Sequence, residues 1–248
     1  MTAAPDIALD PARFERTMRR YRIWERWFQP TLVGVDNLPA GGALIVSNHG
    51  TFGFDLSALV RAVWLATGRP LRSLGDHIVF RTPGIRRLAH DMGIVEGTPD
   101  HAHALLTGGA WVLVYPGGAR EAMPSASERY QLFWDGSHGF AETAIRAQVP
   151  IVPMAGIGVD DVYDEWISRD QIAATRLGQW VAQTFGEKYV FPIYRGLGPL
   201  PKPVSIRYVF GAPIPVPKTA SEANRKRLHK RVRDVTRALI DRELAKTR

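Results

Sequence analysis

Apolar residues follow two rhythms along the chain. Short unbroken runs, ALIVS at 43–47, AWVLVYP at 110–116 and VPIVPMA at 149–155, have the length and lack of alternation expected of strands buried on both faces. Between them, apolar residues recur every three to four positions over 55–66, 82–93, 99–107, 138–148, 170–185 and 221–244, which read as helices. The last carries Leu228, Val232, Val235, Leu239 and Ile240 as its stripe. Weaker strand signals lie at 71–75, 93–97 and 204–214. Strands alternating with helices predict an α/β fold with a mostly parallel central sheet flanked by helices. No repeat or low-complexity segment interrupts it, and GLGPLPKP at 196–203 reads as a rigid loop, so residues 31–248 form one domain.

Residues 1–30 stand apart. Asp10-Pro11 has the form of a helix start, and Gln29-Pro30 that of a stop. Phe14, Met18, Tyr21, Trp24 and Trp27/Phe28 fall on one helical face, with six arginines filling much of the remainder. Two uses fit this amphipathic helix. It can lie in a lipid interface with rings at headgroup level, or it can pack its aromatic stripe on its own domain.

Charge sharpens the picture. The net charge is +8, but residues 27–224 hold 16 basic and 17 acidic residues, so the excess belongs to the two ends. Basic ends suit anionic lipid or nucleic acid, or are solvated helix faces. The absence of cysteine excludes disulfides, zinc–thiolate sites and a cysteine nucleophile, and an intracellular setting is the expectation. No run reaches the roughly 18 apolar residues of a membrane-spanning helix, and the acidic N-terminus does not read as a secretory signal.

Candidate chemistry gathers where strands end. SNHGTFGFD (47–55) follows the ALIV run and offers His49, then two glycines, then Asp55. A loop bent at Gly50 or Gly53 can return the carboxylate to the imidazole, fixing its tautomer and leaving the second nitrogen as a base. The same spacing also fits a turn in which Asp55 caps the next helix. Phe52 and Phe54 are assigned to the core rather than to substrate. After the strand at 110–116 comes GGARE (117–121), where Gly117 and Gly118 can expose backbone N–H groups and Arg120 can meet an anion; a plain tight turn is the other reading. DHAH (100–103), His77, His90 and Asp91 do not have metal-ligand spacing, so no metal is assigned. No Gly-x-Ser-x-Gly elbow of an α/β-hydrolase occurs.

Four blocks in order, SNHGTFGFD, GIVEG, YPGGARE and VPIVPMA, resemble the lysophospholipid/glycerol-phosphate acyltransferase superfamily over about residues 30–215. The look is closest to its diacylglycerol-acyltransferase and phytyl-ester-synthase-like branch, which also carries a downstream Gly-Phe-Ala like Gly139-Phe140-Ala141. The departures are specific. Five residues instead of four separate His49 from Asp55, Gly117 replaces the family's glutamate with Glu121 as its candidate substitute, and GIVEG has no match for the second-block arginine. Arg120 falls on the family's arginine.

The resemblance implies a glycerol-phosphate acyltransferase-like fold and direct acyl transfer. His49 would be the general base, Asp55 its orienting acid, and Gly117, Gly118, Arg120 and Glu121 substrate-binding. The acyl donor would be a thioester of CoA or acyl carrier protein, a co-substrate rather than a cofactor. The acceptor would be a lipid hydroxyl, such as that of a lysophospholipid or acylglycerol. Partners would be anionic lipids at the cytoplasmic face of a membrane, without nucleic acid. The alternative is a catalytically weak or inactive lipid-binding protein of the same fold.

Overall fold

A computed structural model describes residues 7–81, 83–186 and 190–246. Expectations that fall on residues 1–6, Thr82, Thr247 and Arg248 lie outside the described residues.

In chain order, α1 (Pro11–Arg20) and α2 (Arg22–Phe28) precede β1 (Thr31–Val33) and β2 (Ala43–Ser47). Then follow α3 (Leu56–Thr67), β3 (Leu71–Gly75), α4 (His77–Arg81), α5 (Pro83–Asp91), β4 (Ile94–Glu96), α6 (Pro99–Thr107) and β5 (Trp111–Val114). The second half comprises α7 (Gly118–Ala122), α8 (Gly139–Ala147), β6 (Ile151–Ile157), β7 (Asp164–Ile167), α9 (Arg169–Ala173), α10 (Arg176–Phe185), β8 (Ile193–Arg195), β9 (Arg207–Phe210) and α11 (Glu222–Leu244).

Seven strands make the sheet, in the order β1-β9-β6-β2-β5-β3-β4. Five are mutually parallel, while β9 runs antiparallel to β6 and carries β1 parallel beside it. Every residue of β2 and β6 is buried, as their unbroken apolar runs require of central strands with both faces covered. Helices α6, α8 and α11 pack together over β5, β2 and β6, and α2 and α3 pack as a separate pair. In the central sheet β2, β3 and β5 point their carboxyl ends to one edge, where loops gather functional groups.

The N-terminal segment is two helices, not one. Asp10 caps α1 by accepting from the N–H groups of Ala12 and Arg13 at 2.9 and 3.1 Å, and the helix breaks at Tyr21 before α2. Phe14 and Met18 are buried with Val60 and Met92, and Phe28 enters the main core. The aromatic stripe thus faces the domain. Arg61, 8% exposed, fastens the arrangement by donating to Glu25 at 2.5 Å and to the Met18 carbonyl at 2.7 Å.

The helix expected over 170–185 is divided into α9 and α10, because Thr175 accepts from the Gly178 N–H and starts a new helix. β7 and β8 pair with each other as a separate two-stranded sheet.

Candidate functional site

The site is built on the end of β2. Asn48 locks that end to β6: its side-chain amide donates to the Gly156 carbonyl at 3.0 Å and its oxygen accepts from the Gly156 N–H at 2.9 Å. His49 is the next residue. Its Nδ1 lies 2.7 Å from the Gly50 carbonyl, an acceptor only, so Nδ1 carries the proton and Nε2 keeps its lone pair. The ring rests on Tyr115, with centroids 4.4 Å apart. Burial holds the imidazole pKa below its ordinary value, which keeps the ring neutral near pH 7.

The loop then turns through a single 3-10 turn at Thr51–Gly53, with positive φ at both Phe52 (55°) and Gly53 (66°). Left-handed backbone at two successive residues takes up the long His49–Asp55 spacing. Gly50 is required on space: a Cβ there would lie 2.4 Å from Oδ1 of Asp55 and 2.9 Å from Val159. Phe52 and Phe54, expected in the core, are 47% and 37% exposed. They form an aromatic rim with Tyr163, Tyr194 and Trp24, because the left-handed turn swings them out of the sheet's shadow.

Asp55 is 3% exposed and makes no side-chain cap to α3, which removes the capping reading. Tyr208 of β9 donates to its Oδ2 at 2.9 Å. Burial pushes the Asp55 carboxyl up to about 6, opposed by Tyr208 and its own backbone N–H. Among the described hydrogen bonds none joins His49 to Asp55. The direct bond expected between them is replaced: the peptide of Gly50 stands between the two residues, its carbonyl on the imidazole and its Cα against the carboxylate. The Gly50 residue thus borders both, and the imidazole tautomer is set by its carbonyl. The Asp55 charge also reaches Tyr115, whose hydroxyl is raised well above its ordinary pKa by burial and then by Asp55.

Glu121 lies beneath the loop, 3% exposed. Its two oxygens accept from the His49 N–H at 3.1 Å and the Phe133 N–H at 2.7 Å. Its carboxyl fills the space a side chain at Gly117 would take, where a Cβ would be 2.1 Å from Cδ. Asp160 completes a buried carboxyl trio. One oxygen accepts from the Tyr130 N–H at 2.7 Å, and the other is buried without a partner. Burial pushes both Glu121 and Asp160 to about 7. Asp160 repels Glu121, and Asp55 repels Asp160.

The GGARE block is placed differently from an anion cradle. Arg120 makes a two-armed pair with Glu128, one arm at 2.9 Å, and lies 4.3 Å over the Phe133 ring. Arg169 also reaches Glu128 at 3.2 Å, and pairing with Arg120 holds that carboxyl down at about 2. The Gly118 N–H is taken by the Tyr115 carbonyl at 3.1 Å. Of the six residues singled out in the sequence, His49, Asp55 and Glu121 meet at the β2 loop, Gly117 supplies the space for Glu121, and Arg120 and Gly118 are engaged elsewhere.

Tyr208 and Asp160 carry no local sequence signal, whereas Tyr115 lies within the strand run 110–116 and opens the YPGGARE block. A cavity of about 310 Å³ lies between the sheet and helices α6 and α8, lined by Leu44, Leu74, Val114 and Phe140 together with Glu142 and Arg146. Among the described residues no group of three metal-ligating side chains forms; His101 instead bonds the Glu96 carbonyl at 2.8 Å.

Comparison with known proteins agrees with this architecture. The crystal structure of the 1-acyl-sn-glycerophosphate acyltransferase PlsC from Thermotoga maritima superposes with a TM-score of 0.56 over 93% of this chain and 78% of that one, at 16% identity, a likeness of fold. A Mus musculus protein described as a DGAT1/2-independent enzyme synthesizing storage lipids is 32% identical over 217 residues, 87% of this chain and 60% of its own length. The Homo sapiens protein of the same description is 31% identical, over 87% of this chain and 62% of its own length. An uncharacterized Mycobacterium tuberculosis protein is 33% identical over 77% of this chain and 54% of its own. The chain thus spans about three fifths of the length of these mammalian relatives. The family model for diacylglycerol acyltransferase matches residues 42–247, from the strand before His49 through the last helix, and the chain belongs to the diacylglycerol acyltransferase family.

Proposed function

We propose that the protein transfers a fatty acyl group from a thioester of CoA or acyl carrier protein to a lipid hydroxyl, with an acylglycerol or a lysophospholipid as acceptor. The observation that carries this reading is His49: a neutral imidazole, Nδ1 held by the Gly50 carbonyl, Nε2 left as a base. Nε2 takes the proton as the acceptor oxygen attacks the thioester carbonyl. The tetrahedral intermediate collapses with cleavage of the C–S bond, and the imidazolium returns the proton to the departing thiolate. Asp55, ionised above about pH 6, stabilises the imidazolium across the Gly50 peptide. Glu121 fixes the His49 backbone from below. An acyl chain needs apolar lining, each buried methylene contributing about 0.8 kcal/mol, and the mixed cavity under α6 and α8, with Leu44, Leu74, Val114 and Phe140 in its wall, is the candidate to hold one.

The acceptor must come from a lipid phase. No described helix is long and apolar enough to cross a membrane, and a peripheral contact at the cytoplasmic face is part of the proposal. The missing His49–Asp55 bond and the engaged Arg120 favour one second reading, a lipid-binding protein of the same fold without turnover. Labelled long-chain acyl-CoA offered with mono- and diacylglycerol, lysophospholipids and a long-chain alcohol decides between them. Transfer that His49→Ala abolishes supports the enzyme; lipid binding without transfer in the unaltered chain supports the binder.

A further inference from the structure

The crossover from β3 to β4 exposes apolar side chains that the domain leaves uncovered. Ile78 on α4 is 67% exposed, and Ile85 and Leu88 on α5 are 52% and 46% exposed. They are interleaved with Arg81, Arg86 and Arg87, all exposed. Among the described hydrogen bonds and ion pairs none engages these three guanidinium groups. The nearby acids are already occupied: Asp76 binds the Ile78 N–H and His77, and Asp91 faces Arg13 of α1 at 3.9 Å.

The hairpin is held in place from below. The Phe80 ring sits over Gly75, where a Cβ would be 3.2 Å away, and meets His90 edge-on at 5.5 Å. Ala89, on the inner face of α5, is buried. α4 leaves the carboxyl end of β3, the same edge at which β2 delivers His49. β3 is two strands from β2, about 10 Å at the usual strand spacing.

A single exposed leucine is ordinary. Three aliphatic side chains set among three uncompensated cations, on a pair of short helices, are not what a water-facing surface needs. They match a layer with phosphates outside and hydrocarbon beneath, where the aliphatic tips enter and the guanidiniums stay at headgroup level. Nucleic acid would use the arginines and leave the isoleucines unexplained. We propose that the α4–α5 pair is the surface on which the protein rests against an anionic lipid layer, setting the His49 edge at the layer. The purpose of this contact rests on the transferase reading above; the contact itself does not.

The test is sedimentation of the full chain with vesicles of phosphatidylcholine alone and of phosphatidylcholine with phosphatidylglycerol. The unaltered protein is expected to prefer the anionic vesicles. Arg81→Glu with Arg86→Glu and Arg87→Glu, and separately Ile78→Ser with Ile85→Ser and Leu88→Ser, are expected to weaken that binding tenfold or more. All six sites are exposed, and unchanged circular dichroism confirms folding. A charge-matched control on α11, Arg227→Glu with Lys230→Glu and Arg231→Glu, is expected to retain binding. Equal binding to both vesicle types, α4–α5 variants that bind like the parent, or loss confined to the α11 variant would overturn the proposal. Transfer to an acceptor in detergent micelles is measured in parallel and is expected to be equal in all α4–α5 variants. Its absence from the unaltered protein would sink the transferase reading and leave the vesicle result to be judged alone.

Discussion

Tyr208 donates its hydroxyl to Oδ2 of Asp55 at 2.9 Å, joining positions 153 residues apart in a fully enclosed contact. That bond stabilises the carboxylate against burial, which alone drives it toward protonation. Tyr208→Phe removes the donor, so the Asp55 pKa is expected to rise further above about 6. Each unit of rise lowers the ionised fraction about tenfold on the acid side. Transfer should fall at pH 6.5–7 and recover near pH 8–9. A pH–rate profile with an unmoved acid limb would detach Asp55 ionisation from the reaction.

Gly50 admits no side chain, with Asp55 and Val159 both closer than 3 Å to a Cβ position. Gly50→Ala is expected to cost about 1–3 kcal/mol through overpacking and to reduce transfer by displacing the His49 anchor. Thermal unfolding and single-turnover transfer measure the two effects. A fully active, equally stable variant contradicts the loop geometry.

The carboxyl trio makes stability depend on pH. Asp55, Glu121 and Asp160 have folded pKa values of about 6, 7 and 7 against ordinary values of 3.8, 4.5 and 3.8. The folded state therefore holds more protons than the unfolded chain between about pH 4 and 7, and stability from this source falls as pH rises through that window. His49 and His229, both lowered by burial, act in the opposite sense around pH 6. The difference between variant and parent isolates the carboxyl contribution. Asp160→Asn, at the oxygen without a partner, should raise the melting temperature more at pH 8 than at pH 5. An equal change at both pH values would show that Asp160 titrates normally.

Arg120→Gln is expected to act on the structure around Glu128 rather than on the chemical step. The pair is partly exposed, with side chains at 36% and 17%, so after solvent screening the loss is on the order of 1 kcal/mol. Transfer per folded molecule should stay within about twofold. A large fall in kcat with unchanged melting temperature would return Arg120 to the substrate.

Legibility followed the range of the forces involved. The apolar runs at 43–47, 110–116 and 149–155 mark central strands because burial on both faces leaves no polar position, and β2 occupies the first of them residue for residue. The Asp10 cap and the bounds of α6 are local chemistry and are equally visible. β1 is three residues long and is paired to a strand about 175 positions away, so nothing near it in sequence announces it. β7 and β8 are half-exposed and short, giving no run to read. At the site, motif order pointed to His49, Asp55 and Glu121. Tyr208 and Asp160 arrive from distant parts of the chain through sheet topology, and no spacing rule could have paired them with Asp55.

The clasp of Asn48 on Gly156 fixes the pivot of any motion at the site. Two bonds hold residue 48 to the central strand β6, and Glu121 holds the next peptide nitrogen. The imidazole is therefore mounted on the frame, and freedom begins only beyond Gly50. The exposed rings of Phe52 and Phe54 stand beyond that fixed post, on the part of the loop that the clasp leaves unanchored.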